Sequence, residues 1–150
     1  MENIQACLIQ AEKTCRQQGL QLTTKRKLIL TALLQVKKAI SAYELIELLE
    51  TQFKETLAPM SIYRILAFLE ECHLVHKLNI ANKYVACADI INEPPHATAQ
   101  LFFCQLCQRV DEIKLDPIKV SDLDNKAKQF GYQLLSSHIE LNCICNACLR

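Results

Sequence analysis

No apolar run in this 150-residue chain is long enough to span a bilayer. The longest, such as Leu28 to Leu34, are short and interrupted by Thr31, well below the roughly 20 residues a spanning helix needs. No secretory leader is expected either. Met1-Glu2-Asn3-Ile4-Gln5 is acidic rather than basic, and neither an apolar core nor a small-residue cleavage site follows it. There is no low-complexity segment and no internal repeat beyond a doubled C-x-x-C. These absences predict a soluble, cytoplasmic chain. Strong charge of one sign is also lacking, since the formal net charge is +1. The balance is uneven along the chain: residues 1–85 carry 11 Lys/Arg against 8 Asp/Glu, whereas residues 86–150 carry 6 against 8. The first half is therefore the part able to approach a polyanion.

With 51% hydrophobic and 22% charged residues, the chain falls in the globular range, with room for one domain or two small ones. Its first half reads as helices. An amphipathic segment from about Glu2 to Gln17 places Ile4, Leu8, Ala11 and Cys15 at helical spacing and ends near Gly19. Thr23 or Thr24 then caps a helix through about Leu34, with Leu28, Ile29, Ala32 and Leu33 inward. Lys25, Arg26 and Lys27 crowd the first turn of that helix, where cations oppose the helix dipole. Ser41-Ala42-Tyr43-Glu44 is a capping box opening a helix with Leu45, Leu48 and Leu49 on one stripe toward Phe53.

Pro59 belongs in a first turn, and Ile62, Ile65, Leu66 and Leu69 mark the buried face of a further helix ending near Cys72. Two strand-like runs, Leu74–Leu78 and Lys83–Cys87, flank a turn and predict a hairpin. Helices followed by a hairpin is the order of a winged helix. Pro94-Pro95 breaks the pattern and sets a hinge over 87–97, between a winged-helix domain at 1–86 and a small α/β domain at 98–150. The overall class is α+β. In the second domain, Ala99–Phe103 and Val110–Leu115 read as strands, Ile118–Phe130 as an amphipathic helix and Tyr132–Leu141 as a third strand. A unit of this size buries too little surface to be stable alone, so a metal and dimerisation would both help it.

Nine cysteines, an odd number, include the knuckles Cys104/Cys107 and Cys145/Cys148. Four thiolates in two C-x-x-C pairs suit a tetrahedral structural zinc better than a disulfide framework. A thioredoxin-like C-x-x-C opens a helix, but Cys104-Gln105-Leu106-Cys107 precedes a strand. A nucleobase deaminase needs H-x-E and a Pro before its first Cys, and His96-Ala97-Thr98 and Phe103-Cys104 supply neither. No general base stands at a readable spacing, so no enzyme is expected. Cys143 reads as a bystander. A second set comprises His76, Cys87, His96 and Glu112, with His73 and Asp89 as competing ligands. A lone His in a strand is more often a surface residue than a ligand. Together, imidazole, thiolate and carboxylate make a mixed donor set, weaker than four thiolates and suited to reversible zinc.

The runs Ala39-Ile40-Ser41-Ala42-Tyr43, Ser61-Ile62-Tyr63-Arg64-Ile65-Leu66, Val75-His76-Lys77 and Tyr84-Val85-Ala86-Cys87, with both knuckles, resemble the ferric uptake regulator family. The zinc uptake regulator branch is the nearest within it. The resemblance implies two zinc ions per subunit, a structural one on Cys104, Cys107, Cys145 and Cys148 and a regulatory one on His76, Cys87, His96 and Glu112. Iron-type members carry His-His-Asp-His where this chain has Pro95-His96-Ala97-Thr98, which disfavours iron. Thr24 stands where relatives often have Pro.

The resemblance further implies a homodimer on double-stranded operator DNA, with each helix 59–72 in a major groove and half-sites about 34–36 Å apart. Tyr43, Tyr63 and Arg64 are the candidate base readers, and Lys25, Arg26, Lys77 and Lys83 the candidate phosphate contacts. Two dimers per operator, paired through Glu47 and Arg64, are a further expectation. The expected function is zinc-responsive repression of zinc-uptake genes. The alternatives are an iron, manganese or peroxide-sensing regulator of the same family, the last through oxidation of Cys87 or Cys143.

Overall fold

The computed structural model describes residues 3–91, 98–135 and 138–150. Its internal contacts divide the chain into two compact units, Met1–Pro95 and His96–Arg150. Most of the expected hinge, together with His96, lies outside the described residues.

The first unit runs α1 (Ile4–Gln17), α2 (Thr24–Val36), α3 (Ala42–Gln52), α4 (Pro59–Glu71), β1 (Val75–Leu78) and β2 (Lys83–Ala86). α1, α2 and α3 each start where a side chain meets the orphan N–H groups of a first turn. Asn3 Oδ1 accepts from the Gln5 and Ala6 amides at 3.0 and 3.4 Å, and Thr23 Oγ1 from the Arg26 amide at 3.3 Å. Ser41 and Glu44 close the capping box reciprocally, at 3.1 Å each way. α1 ends in a Schellman turn. The Leu20 amide donates to Cys15 O at 2.8 Å and the Gly19 amide to Arg16 O at 3.0 Å, with Gly19 at φ +72°, a conformation glycine adopts without steric cost.

One cluster gathers the apolar faces of all four helices, from Leu8, Ala11 and Cys15 through Leu45 and Leu49 to Ile62, Leu66 and Leu69. The inward set of α2 is Ile29, Leu30, Ala32 and Leu33, with Leu28 only half-buried. Leu30 was not in the expected stripe. α2 packs against α1, α3, α4 and β2, so its buried arc is wider than one stripe. β1 and β2 pair antiparallel from Val75↔Ala86 to Leu78↔Lys83. A single-residue bridge adds to them: Ile40 and Tyr84 exchange two backbone hydrogen bonds of 3.0 and 2.7 Å. One residue carries no alternation, so the sequence pattern does not reveal it.

The second unit comprises β3 (Ala99–Cys104), β4 (Val110–Lys114), α5 (Pro117–Gln129) and β5 (His138–Cys143). The sheet order is β4-β3-β5, with β4 antiparallel and β5 parallel to the central β3. The expected third strand starts too early: residues 132–135 lie in no strand, and β5 begins at His138. Parallel pairing explains the difference, because the chain must cross back after α5 before it can enter the sheet. Pro117 occupies the first turn of α5, and Asp116 Oδ1 caps it by accepting from the Ile118 amide at 2.9 Å. Ala99, Leu101, Phe103 and Cys104 are buried, but no residue of α5 is. Its apolar side chains, with Phe130, Tyr132 and Leu134, instead border a cleft of about 680 Å³ against Leu115 and Ile139.

The Ser41/Glu44 box also carries the wing, because Lys83 Nζ sits 2.9 Å from Glu44 Oε1. That ammonium, followed by the Ser41 contacts, holds the Glu44 carboxyl below its ordinary 4.5. A depressed folded value contributes stability above pH 4.5 that is lost as pH falls through the folded value. Ser41→Ala is expected to lower stability by about 1 kcal/mol in urea unfolding. Glu44→Gln is expected to flatten the acid limb of the stability–pH curve.

Candidate metal centre and nucleic-acid interface

Cys104 closes β3, and the chain turns at once. The Cys104 amide donates to Arg109 O and the Gln108 amide to Cys104 O, both at 2.9 Å, with Gln108 at φ +69°. The second knuckle turns likewise, with the Cys148 amide donating to Cys145 O at 3.0 Å. Parallel pairing of β3 with β5 sets Cys104 opposite Cys143, and the Gln105 amide donates to Cys143 O at 3.0 Å. The two knuckles therefore meet.

The four sulfurs of Cys104, Cys107, Cys145 and Cys148 lie within 4.8 Å of one another, and Cys107 Sγ stands 3.8 Å from Cys145 Sγ. Zinc–sulfur bonds of about 2.3 Å give a tetrahedron with edges of about 3.8 Å, so this donor set fits the ion. The Cys145 amide donates to Cys104 Sγ at 3.3 Å. Backbone N–H groups of Cys107 and Cys145 lower the Cys104 thiol to about 6. The adjacent Cys145 side chain and burial push Cys148 up to about 12. A divalent cation would compensate all four sulfurs as thiolates. Cys143 stays outside the group, its Sγ donating to Leu141 O at 3.4 Å.

Of the second set, His76 lies on β1 opposite Val85, and Cys87 follows β2, its amide donating to Leu74 O at 2.9 Å. Their ligand atoms are within 4.8 Å of each other. Cys87 is buried and accepts from the Asp89 amide at 3.4 Å. His73 is exposed at φ +60°. Glu112 belongs to β4 of the second unit, paired with Leu101. His138, which has no expected partner in the sequence, lies 2.9 Å from Glu140 Oε2 on the same face of β5.

On α4, burial of Ile62, Leu66 and Leu69 turns Met60, Tyr63, Arg64 and Ala67 to solvent, and Tyr43 is exposed on α3. Lys25 is exposed. Arg26 is already engaged: it donates to Gln21 O at 2.7 Å and its guanidinium lies 3.6 Å from the centroid of the Phe68 ring. It thus ties the loop before α2 to α4 as a cation–π anchor. Lys27 lies 3.6 Å from Glu12, which relieves part of the charge crowding in that turn. Lys77 Nζ is 6.0 Å from the Tyr84 ring, and Lys83 is held by Glu44. The sequence pattern does not signal the Arg26–Phe68 contact, because the two residues, on α2 and α4, are 42 positions apart.

Comparison with known proteins places this arrangement. The family described as "Ferric uptake regulator family" matches residues 17–142. The chain belongs to the ferric uptake regulator family. The zinc uptake regulation protein of Escherichia coli (strain K12) is 34% identical over 146 residues, covering 97% of this chain and 83% of that protein. A solved structure of a zinc uptake regulator complexed with zinc and DNA has 33% identity and a TM-score of 0.85, covering 99% of this chain and 97% of that one. The crystal structure of holo XcZur gives 30% identity and a TM-score of 0.80, over 95% and 96% of the two chains. Among the described residues, no helix is long and apolar enough to cross a membrane.

Zinc titration of the metal-free protein is expected to release protons, with affinity falling as pH is lowered, because thiols must lose protons to ligate. Cys104→Ser is expected to lose tight zinc uptake and to unfold the second unit at lower temperature. Calorimetry in buffers of different ionisation enthalpy measures the first, and thermal unfolding followed by circular dichroism the second.

Proposed function

We propose that this chain is a zinc-responsive transcriptional repressor that binds operator DNA as a zinc-loaded homodimer and represses zinc-uptake genes. The observation that carries the reading is the full-length likeness to a zinc uptake regulator complexed with zinc and DNA. The four-sulfur cluster and the exposed face of α4 supply the matching chemistry. The protein is a regulator rather than an enzyme, and acts in the cytoplasm.

Each subunit takes two zinc ions. Cys104, Cys107, Cys145 and Cys148 hold the structural one. His76 and Cys87 from the wing, with His96 and Glu112 from the second unit, hold the regulatory one. The mixed donor set of imidazole, thiolate and carboxylate favours zinc over iron or manganese, which prefer harder sets. Ligands drawn from the wing, the hinge and the second domain make the wing's attachment conditional on the metal. DNA affinity then follows free zinc. A hundredfold effect requires about 2.7 kcal/mol of coupling.

The exposed face of α4 enters the major groove, with Tyr63 and Arg64 reading bases, Tyr43 beside them, and Arg64 suited to guanine. Lys25 and Lys77 contact phosphates, and Arg26 and Lys83 reach the backbone only to the extent that their internal partners leave donors free. A second copy of the chain covers the cleft beside α5. Support comes from the exposure there of Phe130 (79%) and Tyr132 (71%), a large apolar area for a lone subunit. Two dimers per operator, joined through Glu47 and Arg64, remain part of the reading.

Gel shifts on a zinc-uptake promoter, with zinc set by a chelator buffer, test this. Wild-type binding is expected to rise steeply with free zinc, while Cys87→Ala stays folded and binds weakly at every zinc level. Zinc-independent binding by the wild type would overturn it.

A further inference from the structure

We propose that Met60 is a further specificity determinant, reading the methyl group of an operator thymine next to the base pair met by Arg64. The inference rests on α4 being the helix that enters the major groove. α4 starts with Ala58 as N-cap, Pro59 as its first residue and Met60 as its second, and no side chain caps this end. At 3.6 residues per turn, Met60, Arg64 and Ala67 fall within about 60° of one another, diametrically opposite Ile62, Leu66 and Leu69. Because those three are fully buried, the Met60–Arg64–Ala67 ridge is the outermost line of the helix. Tyr63 lies to one side of that line and is only 37% exposed, against 63% for Met60.

Isolated exposed apolar residues are ordinary on protein surfaces. Met60 differs in its position, one turn before Arg64 at the N-terminal end of the helix, the end that such recognition helices present to base edges. Its side chain cannot donate a hydrogen bond, so polar base edges offer it little. The one apolar feature of the major groove is the thymine C5 methyl. An unbranched thioether has the reach and adaptability to cover it. Ala67, on the next turn, is too small to hold the ridge away from the groove.

The test uses the full-length, zinc-loaded protein and a duplex selected from random sequence by that protein. Each thymine of the duplex is replaced in turn by deoxyuridine, which removes only the methyl group. Wild type is expected to lose about fourfold in affinity at one thymine per half-site, the ~0.8 kcal/mol of one buried methyl group. Met60→Gln, of similar length but polar, should bind the thymine and deoxyuridine duplexes equally. Met60→Leu should keep the discrimination at that position. Wild-type indifference to every replacement, or full discrimination retained by Met60→Gln, would overturn the proposal while leaving operator binding intact. If no duplex is enriched at any zinc level, the repressor reading fails and this inference falls with it.

Discussion

The second unit depends on the meeting of four sulfurs. Its described residues bury only Ala99, Leu101, Phe103 and Cys104, all on β3, and its one helix buries none. So small a core cannot offset the entropy of ordering the chain. Drawing Cys104 and Cys107 onto Cys145 and Cys148 closes the loop that contains β4, α5 and β5, and apparent binding of about 10–16 kcal/mol for a structural zinc would go directly into folding. The parallel β3–β5 pairing depends on the same closure, since it sets the knuckles side by side. The uncovered apolar face beside α5 is the other half of the deficit, which the proposed dimer would make good.

The first unit is built on the opposite principle. A continuous leucine- and isoleucine-rich core holds its helices; side-chain caps set where α1, α2 and α3 begin, and a first-turn proline where α4 does. Burial of one face of α4 leaves the other exposed as a ridge, the proposed DNA-reading face. The Glu44 carboxylate joins the cap of α3 to Lys83 of the wing, and Arg26 joins the loop before α2 to Phe68 on α4. Cysteine chemistry is divided in the same way. Cys15 and Cys72 are buried and hydrogen-bonded to each other, and burial pushes the Cys72 thiol up to about 12, so this pair is inert packing. The sulfurs of the candidate zinc site instead lie close to one another, with the Cys145 amide donating to Cys104 Sγ.

Much of this was legible from residue order. Caps at Thr23 and Ser41, the first-turn Pro59, the hairpin after Cys72 and the four-cysteine cluster all follow from local spacing, because each is decided by residues close in sequence or by ligands of one type. Features decided over long range were not. The start of β5 depends on a parallel partner more than 30 positions earlier, the Ile40–Tyr84 bridge on one residue without a pattern, and the burial of Leu30 on helices packed around α2. The engagement of Lys83 and Arg26 also escaped the pattern, since a basic residue looks the same whether it faces a phosphate or a glutamate. His96 and most of the hinge lie outside the described residues, so the proposed regulatory set rests on ligand chemistry and family membership.

The central claim is that zinc and operator DNA favour the same state of the protein, and thermodynamic linkage makes that reciprocal. The most direct measurement is zinc affinity at the weaker site, by competition with a chelator, with and without a saturating operator duplex. The account expects DNA to tighten zinc by the same factor that zinc tightens DNA. Equal zinc affinity in both conditions would contradict it.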